Sequence, residues 1–492
     1  MAIRRVLFYL SMAAAVGYGG LLIWKTSFAV GGSDSSGYAN TAKMLAGGRV
    51  VAPVEAPGRL DLPDRFDRAF MPLAFEPGQQ PGTMVPFYPA GYPLHLAVAG
   101  IIGGWEYAPF FVSPLAALLL VLATYFLARE LGLSRAFACA AAAILAACGV
   151  LLFQAVQAMS DVVAAVWATG AVLFALRSRK REVWAAAAGV AFGVAVLVRP
   201  TNAILAAPLL LALAWRPKAL TYFAAAGAPF AVFLARWNSA IYGGPLRMGY
   251  SGILGDFAWS NFSVRFAHYA RTLAQMFSPL IPLGWIGVAA DRRVPLRDRA
   301  LLVLWFAAYF LLYCFWGPYE TWWYTRYLLP AFPALVIGAV LVARELLRLL
   351  PEIAEGPFRS PRLAVALAAV LFLVVADAER RRIRWWKPLQ VAEGERIYPM
   401  TMDLVRRKLP DRSLVVSHQF SGALRYYTDF QPVRWDWLAP GDFSIVRAQA
   451  EAKGYRLFAL GVPWEQEKMF ENAPGKWKEV GSVRDVKLWE LE

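Results

Sequence analysis

Four charged side chains stand next to apolar segments of this sequence: Asp34, Asp161, Arg199 and Arg326. A carboxylate accepts a proton from a hydroxyl as a general base, and a guanidinium is the favoured bidentate partner of a phosphate. An unpaired charge at the centre of a bilayer costs about 2.5–3.5 kcal/mol on insertion scales, so such residues usually face a cavity or a partner. These residue types favour acid–base chemistry on a phosphate-bearing substrate at a membrane surface.

The two carboxylates also have a structural interpretation, which the sequence leaves open. Asp34 suits the N-cap of a helix over Ser35–Leu45, because aspartate accepts hydrogen bonds from the first free amides of a helix. Asp161 has the same role if a helix opens at Ser160-Asp161. Both readings, cap and catalytic acid or base, remain hypotheses at this point.

The two arginines have structural interpretations as well. Arg199 precedes Pro200, and the residue before a proline is biased away from helical geometry, so the pair could merely end a helix. Arg326 follows an aromatic cluster typical of the membrane interface, where an arginine side chain extends toward water. His268 is a lone histidine in a polar segment, for which a structural role is expected.

Metal and nucleotide chemistry have little support in the sequence. A hard cation needs a cluster of oxygen ligands, and the segment around Asp34 offers no second acid in the same short motif. The three cysteines, Cys139, Cys148 and Cys314, lie in apolar segments without a paired cysteine or histidine, which predicts neither a zinc site nor a disulfide framework. No glycine-rich nucleotide motif is present.

The composition is that of a polytopic membrane protein. Of the 492 residues, 59% are apolar and 17% charged, against about half and a quarter in soluble proteins, and the mean hydropathy is +0.45. The formal charge of +16 comes mostly from basic residues that flank apolar segments. Such residues set orientation in a membrane, so we expect lipid rather than nucleic acid as the partner.

The apolar segments predict about eleven α-helical spans and a cytoplasmic N-terminus, because Arg4 and Arg5 precede the first span. That first segment is expected to be a retained anchor. The predicted spans are Val6–Val30, Phe110–Leu127, Ala136–Phe153, Val162–Leu176, Val183–Val198, Ala203–Trp215, a seventh ending near Trp237, Leu273–Ala290, Ala300–Trp316, Tyr327–Val342 and Leu363–Ala376. Between them we expect a first outer loop over 31–92, an interfacial helix over Leu94–Gly104 and a polar loop over Asn238–Arg271.

The tail has a different composition, which predicts a small soluble α/β domain. We place a membrane body at 1–378 and this domain at 379–492. Helices alternate with strands such as Ser413–Ser417 and Tyr455–Val462. The threading puts the tail outside, but the basic cluster Arg380–Lys387 would then lie outside too, where such clusters are disfavoured. No internal repeat of the transporter kind is visible.

Five motifs, in this order and spacing, resemble the GT-C membrane glycosyltransferases, in the branch of the protein O-mannosyltransferases and the lipid A aminoarabinose transferase. The motifs are Ser33–Gly48 (SDSSGYANTAKMLAGG), Phe87–Pro93 with the apolar piece after it, Ser160-Asp161, Val198–Thr201 and Arg326–Pro330. The tail stretch Ser413–Trp437 resembles the outward-facing α/β domain of some bacterial members. The resemblance covers about residues 1–340.

The resemblance implies an enzyme and assigns roles. Asp34 would be the base that activates the acceptor, and Asp161 a second acid that positions the acceptor or a basic side chain. Arg199 and Arg326 would hold the phosphate of a polyprenyl-phosphate sugar. The aromatic side chains expected to contact this donor are Tyr324, Tyr327, Tyr38 and Tyr88. The chain departs from its relatives at Phe87-Tyr88-Pro89, where they often carry a basic residue before the proline.

Family members of this kind typically invert the anomeric centre and need no metal or other cofactor. The resemblance therefore implies transfer from a polyprenyl-phosphate-linked sugar to a hydroxyl of a glycan, lipid or protein. The implied location is the bacterial inner membrane, with the active site and the tail in the periplasm.

Two other classes remain open. A flippase or transporter of lipid-linked sugars predicts paired charges near span centres and a repeated half. A non-catalytic assembly protein would use Asp34 only as a helix cap.

Overall fold

The structure is a computed structural model that describes residues 2–249, 255–290, 292, 294–317, 320–353, 380 and 384–492. The predicted span Leu363–Ala376 and the basic residues Arg381 and Arg382 lie outside the described residues.

The membrane body is built from α-helices rich in Ala, Leu and Val. They are α1 (Ala2–Lys25), α2 (Asp34–Ala46), α3 (Glu55–Arg59), α4 (Gly91–Gly103), α5 (Val112–Glu130), α6 (Arg135–Ala146), α7 (Gly149–Ala155), α8 (Ser160–Arg177), α9 (Trp184–Val198), α10 (Ala206–Ala212), α11 (Pro217–Tyr242), α12 (Phe262–Phe277), α13 (Leu280–Ala290), α14 (Leu296–Cys314) and α15 (Phe332–Ile353). Short 3₁₀ segments are Asp64–Phe70, Ala108–Phe111, Pro200–Leu205, Trp259–Asn261 and Trp322–Ala331.

The prediction of about eleven spans is wrong for the part of the chain that the structure describes. Four helical stretches there are long and apolar enough to cross a membrane, and six if two bent pairs each count as one span. The four are Ala108–Glu130, Ser160–Arg177, Pro217–Tyr242 and Trp322–Glu345. Counting apolar segments overestimated the number of spans, because a helix needs about 20 residues to cross a membrane. Helix α9 has 15 residues and α10 has seven.

Two predicted spans are bent pairs of helices. The predicted span Ala136–Phe153 consists of α6 and α7, which meet at 64°. The predicted span Leu273–Ala290 falls on the second pair, in which the segment Trp259–Phe277 meets the following helix at 110°. The bend lies at Ser278, whose φ is +66°. The expected polar loop over Asn238–Arg271 is wrong at both ends, because α11 continues to Tyr242 and α12 takes up residues 262–277.

Helix α8 lies at the centre of the body, and most of its side chains are buried. It packs between α5 and α9. Helices α9 and α11 approach closely, since a methyl group at Gly189 would lie 2.1 Å from the carbonyl oxygen of Phe223. Small residues permit such backbone contact between membrane helices. The ends of α8 and α9 are thereby held at fixed positions.

The first outer segment (residues 31–92) and the tail (residues 384–492) both contain helices and strands. The first segment contains strands β1 (Ala52–Pro53), β2 (Phe75–Pro77) and β3 (Thr83–Pro86), paired antiparallel in the order β1-β3-β2. The tail contains α16 (Val391–Glu395), α17 (Ile397–Lys408), α18 (Ser421–Tyr427), α19 (Asp442–Ala452), α20 (Pro463–Asn472), β4 (Ser413–Val416), β5 (Gln431–Val433), β6 (Arg456–Gly461), β7 (Trp477–Val483) and β8 (Val486–Leu491).

The tail forms one five-stranded sheet in the order β5-β4-β6-β8-β7. β4 pairs parallel with β5 and β6, whereas β8 pairs antiparallel with β6 and β7. The predicted α/β layer is present, and the last predicted strand, Trp477–Leu491, is a hairpin. The domain boundary at 378/379 stays a prediction.

The first outer segment and the tail share one hydrophobic cluster. Phe66 and Phe70 of the first segment are in the same buried cluster as Val433 and Trp435 of the tail. Backbone contacts join them too, since the amide of Arg434 donates to the carbonyl of Ala69. The tail therefore lies at the same end of the molecule as the first outer segment.

The segment between α15 and the tail also reaches this end. Trp386 stacks on Trp322, with ring centroids 4.9 Å apart and planes at 10°. Trp322 belongs to the same 3₁₀ segment as Arg326. The described part of the basic cluster, around Lys387, therefore lies at the end that carries Arg326; the side of the membrane on which the tail lies stays a prediction.

Candidate active site

Four chain segments bring the predicted charged residues together. Asp34 is the first residue of α2, and Asp161 is the second of α8. Arg199 follows the last residue of α9 in extended backbone, since Pro200 starts a 3₁₀ turn there. Arg326 lies in the 3₁₀ segment before α15. Segments far apart in sequence thus converge on one buried cluster of two acids and two arginines.

Asp34 is held from both sides of its carboxylate. Tyr88 donates its hydroxyl to Asp34 Oδ1 over 2.5 Å, and Arg326 Nη2 donates to Asp34 Oδ2 over 2.8 Å. The N-cap of α2 is Ser33, and no side chain caps this helix end. The capping interpretation of Asp34 is therefore wrong, because its carboxylate points to Tyr88 and Arg326 instead.

The pKa of Asp34, at the start of α2, is lowered. Burial alone would raise this pKa, but the charge of Arg326 and the hydrogen bonds from Tyr88 and Arg326 outweigh burial. Asp34 is therefore ionised at neutral pH. Each carboxylate oxygen has two lone pairs, so both oxygens retain capacity to accept a bond from a further hydroxyl.

Asp161 is fully buried between the two arginines. Its Oδ1 lies 3.0 Å from Arg199 Nη2 and 3.9 Å from Arg326 Nε. Neither carboxylate oxygen accepts a well-directed hydrogen bond from the described residues. The N-cap of α8 is Met159, so Asp161 does not cap the helix. Its charge is balanced, while its acceptor capacity is unused.

The arginines also contact aromatic rings and a serine. Arg199 Nε donates to Ser160 Oγ over 3.2 Å, and its guanidinium lies 5.1 Å from the ring centre of Tyr327. Arg326 lies 5.2 Å from Tyr327 and 5.3 Å from Tyr324. Only 8% of Arg326 is exposed, so it does not extend to water as an interfacial arginine would. Arg199 both ends α9 and contributes to the cluster.

The four tyrosines named from the sequence all lie at this cluster. Tyr38 and Tyr88 pack together with ring centroids 4.7 Å apart, and Tyr324 stacks on Tyr327 at 6.0 Å. The hydroxyl of Tyr38 shares a hydrogen bond of 2.9 Å with Ser160 Oγ. Burial raises the pKa of Tyr38, so it stays a neutral donor.

Two glycines allow the segments to approach. A methyl group at Gly37 would lie 2.3 Å from the Ala74 side chain and 2.8 Å from the Tyr88 ring. A methyl group at Gly91 would lie 2.3 Å from the backbone nitrogen of Val198. The first glycine permits the contact between α2 and Tyr88, and the second permits α4 to touch the end of α9 beside Arg199.

The sequence analysis missed two residues that contact the charged cluster, Ser160 and Tyr313. Ser160 was read only as part of a helix start, but its hydroxyl joins Tyr38 to Arg199. Tyr313 lies in an apolar span, where a tyrosine gives no signal, yet it stacks on Tyr327 at 5.0 Å and donates to Thr201 Oγ1. His268, expected to have a structural role, lies on α12, and its buried Nε2 has no hydrogen-bond partner among the described residues.

No group of three or more potential metal ligands (His, Cys, Asp, Glu) occurs within the described ranges. The cations that balance the two acids here are guanidinium groups, which resist deprotonation and bind phosphate bidentately.

Comparisons with known proteins agree with the predicted resemblance. The family model of dolichyl-phosphate-mannose-protein mannosyltransferases matches residues 89–236. No curated protein matches the chain in sequence.

Solved structures match over nearly the whole chain. ArnT from Cupriavidus metallidurans bound to undecaprenyl phosphate has a TM-score of 0.58 at 14% identity, covering 100% of this chain and 98% of that one. The oligosaccharyltransferase AglB from Archaeoglobus fulgidus, in complex with an inhibitory peptide and a dolichol-phosphate, has 0.53 at 15%, with 98% and 74% covered. The arabinofuranosyltransferase AftD from Mycobacteria has 0.53 at 15%, with 97% and 41% covered.

At these identities the matches establish the fold. The predicted resemblance is confirmed: the chain has the architecture of the GT-C superfamily membrane glycosyltransferases related to ArnT.

Proposed function

We propose that this protein is a glycosyltransferase that moves a sugar from a polyprenyl-phosphate-linked donor to a hydroxyl of a glycan, lipid or protein. One observation carries the proposal: the Asp34 carboxylate is held between Tyr88 and Arg326, and Arg326 in turn adjoins Asp161 and Arg199. A base and a phosphate-binding pair of arginines thus stand side by side, as transfer from a sugar phosphate requires.

The donor phosphate belongs with Arg199 and Arg326. Both guanidinium groups are buried and lie over the Tyr327 ring. In two structures of this fold, the ligands are undecaprenyl phosphate and a dolichol-phosphate. Because the arginines are already fixed by Asp34 and Asp161, little reorganisation is needed when the phosphate arrives.

The charge of the cluster favours the transfer step. Breaking the bond between sugar and phosphate adds one negative charge to the leaving phosphate, while the acceptor hydroxyl gives up a proton. If Asp34 takes this proton, it loses its own charge and releases Arg326 to the phosphate. The total charge of the buried site then stays constant, which avoids the large cost of creating a charge in a low-dielectric region.

The lowered pKa of Asp34 keeps its carboxylate ionised, so it can accept a proton. A carboxylate is too weak a base to ionise a free hydroxyl, so the proton moves to Asp34 as the new glycosidic bond forms. Asp161, whose oxygens have unused acceptor capacity, would orient the acceptor or the arginines.

The finer features remain part of the proposal. A single displacement, in which the acceptor hydroxyl attacks the anomeric carbon from the face opposite the phosphate, inverts this carbon, and the two guanidinium groups take the place that a cation has in other transferases. We also propose that this site faces the periplasm of a bacterial inner membrane. Asp161 and the basic run from Arg177 to Arg181 stand at opposite ends of α8, and basic runs favour the cytoplasm.

The test uses purified protein in nanodiscs with a panel of polyprenyl-phosphate sugars and a cell-envelope extract as acceptor source. Release of polyprenyl phosphate is followed for the wild type and Asp34→Asn. Loss of a general base lowers rates by about 10²–10⁴-fold, so we expect that loss with binding of polyprenyl phosphate retained. Asp64→Asn, an exposed acid of the same outer segment, is the matched control. Equal release by Asp34→Asn and the wild type would refute the role of Asp34.

A further inference from the structure

A polar cavity lies away from the cluster of Asp34. It has a volume of about 430 Å³ and is formed between the C-terminal half of α2, the first outer segment and α18 with the strand that follows it. Its lining includes four cationic side chains, Lys43, Arg49, Arg59 and Arg425, and one carboxylate, Asp429.

Three of these cations, Lys43, Arg49 and Arg425, form no ion pair with a described residue. Arg59 pairs with Glu55, and Lys43 donates to the carbonyl of Tyr426 over 3.1 Å. Within the described parts of the chain, Arg49 and Arg425 make neither an ion pair nor a side-chain hydrogen bond to a carboxylate. The cavity therefore holds more positive charge than its own acid neutralises.

Arg425 is in an unfavourable position for an arginine. It is largely buried against the ring of Phe75, with 5.5 Å between guanidinium and ring centre. Burial lowers the pKa of Arg425, the charge of Arg49 lowers it further, and the charge of Glu55 offsets part of this effect. A buried cation beside a like charge costs stability unless an anion compensates it. A bound anion between Arg49 and Arg425 would remove this cost.

The position of the cavity indicates where such an anion comes from. Lys43 and Asp34 are on the same helix, and nine residues at 1.5 Å each place them about 14 Å apart along its axis. The donor phosphate is accounted for by Arg199 and Arg326 at the other end of α2. An anion in this cavity therefore belongs to the molecule that delivers its hydroxyl to Asp34.

We propose that this cavity binds a phosphate or carboxylate group of the acceptor, held by Arg49 and Arg425 with Lys43, and that the acceptor is therefore anionic. This assignment of the occupant rests on the proposed transferase function. The proposal that the cavity binds an anion does not, because it is argued from the cations of the cavity alone.

The first experiment measures anion binding without any turnover. Full-length protein in nanodiscs of phosphatidylcholine is titrated calorimetrically with inorganic pyrophosphate at constant ionic strength. We expect binding by the wild type, at least tenfold weaker binding by Arg49→Gln and Arg425→Gln, and no change for Arg407→Gln, an exposed arginine of α17. Melting temperatures of all variants are compared. Absence of binding to the wild type, or equal binding by Arg425→Gln, would overturn the proposal.

The second experiment identifies the source of the anion. Phosphatidylglycerol nanodiscs replace the phosphatidylcholine ones, and a loss of pyrophosphate binding there would assign the site to lipid headgroups and refute the acceptor assignment. Transfer is then followed with envelope extract before and after phosphatase or carboxyl-esterification treatment. We expect one of these treatments to raise the acceptor KM of the wild type, and Arg425→Gln to raise it with untreated extract while Arg407→Gln does not.

The two proposals fail in different ways. If no donor is cleaved by the wild type but pyrophosphate binds through Arg425, the transferase proposal is refuted and the anion site stands. If donor cleavage depends on Asp34 and neither treatment of the extract changes the acceptor KM, the transferase proposal stands and the anionic acceptor is refuted.

Discussion

Asp34 has a carboxylate whose charge is maintained by two neighbours of different kinds. Arg326 contributes charge and a hydrogen bond, whereas Tyr88 contributes only a hydrogen bond. The sequence could name both residues through the resemblance but could not separate these contributions, because residues 34, 88 and 326 are distant in the chain. Their effects on the pKa of Asp34 now lead to an experiment.

Replacing Tyr88 by phenylalanine should move the acid limb of the pH–rate profile upward. The pKa of Asp34 is lowered in the folded protein, so the active ionised form persists below the usual range of carboxyl groups and is lost only as pH falls through this lowered pKa. Tyr88→Phe removes one hydrogen bond that lowers it. The measurement is the pH dependence of kcat/KM for donor cleavage, with the exposed Tyr107→Phe as control; an unmoved limb would show that Tyr88 does not act on Asp34.

Asp161 and Arg199 form a buried pair, and breaking it should be costly. Removing one partner of a buried ion pair typically costs about 3–5 kcal/mol, because the other charge is left uncompensated. We therefore expect Arg199→Gln to lower the melting temperature strongly, and the double variant Arg199→Gln/Asp161→Asn to recover part of the loss.

The measurement is thermal unfolding of the four members of this double-mutant cycle in detergent or nanodiscs. Strictly additive losses would contradict the pairing, whereas recovery in the double variant supports it. Transfer activity is not the readout here, since either residue alone would affect it.

At the scale of elements, the site depends on how closely helices approach each other. Composition predicted where most helices lie, and α8 and α9 start and end near their expected residues. It did not predict the bends at 64° and 110°, although Pro279 directly after the break at Ser278 is a local signal that a helix ends there. Nor did composition predict the close contacts at Gly37 and Gly91. A glycine in a sequence does not show which other segment packs against it.

Gly37→Ala should separate α2 from Tyr88. The added methyl group would lie 2.3 Å from the Ala74 side chain and 2.8 Å from the Tyr88 ring, and overpacking of this kind typically costs about 1–3 kcal/mol. We expect a lower melting temperature and a loss of donor cleavage that exceeds the loss of folded protein, because Tyr88 is displaced from Asp34. Gly58→Ala, which has open space around the new methyl group, should change neither; equal activity of the two variants would contradict the argument.

At the scale of the whole molecule, the first outer segment and the tail form one unit. Composition separated them, since one looked like a loop and the other like a domain. Their common cluster depends on contacts between residues about 360 positions apart, such as Ala69 and Arg434, which no local pattern reports. The α/β pattern of the tail itself was readable, because alternating strands and helices are short-range features.

Phe70→Ala should therefore destabilise the tail as well as the first segment. Phe70 is 2% exposed within the shared cluster, and truncating a buried phenylalanine costs about 3–5 kcal/mol. We expect faster hydrogen exchange in β4 and β5 than in the wild type. Phe266→Ala, at a position 46% exposed on α12, is the control, and unchanged exchange in the tail of Phe70→Ala would show that the two parts are independent.

The distances along the chain between contacting residues have a consequence in time. Arg326 reaches Asp34 across 292 positions, and the Tyr427 hydroxyl that binds the amide of Val30 is 397 positions away. At about 5–20 residues per second, the ribosome adds the chain from Asp34 to Arg326 in roughly 15–60 s. A nascent chain therefore spends most of its synthesis without the buried cluster that joins Asp34 to Arg326. Chains that end before Arg326 lack the positive partner of Asp34.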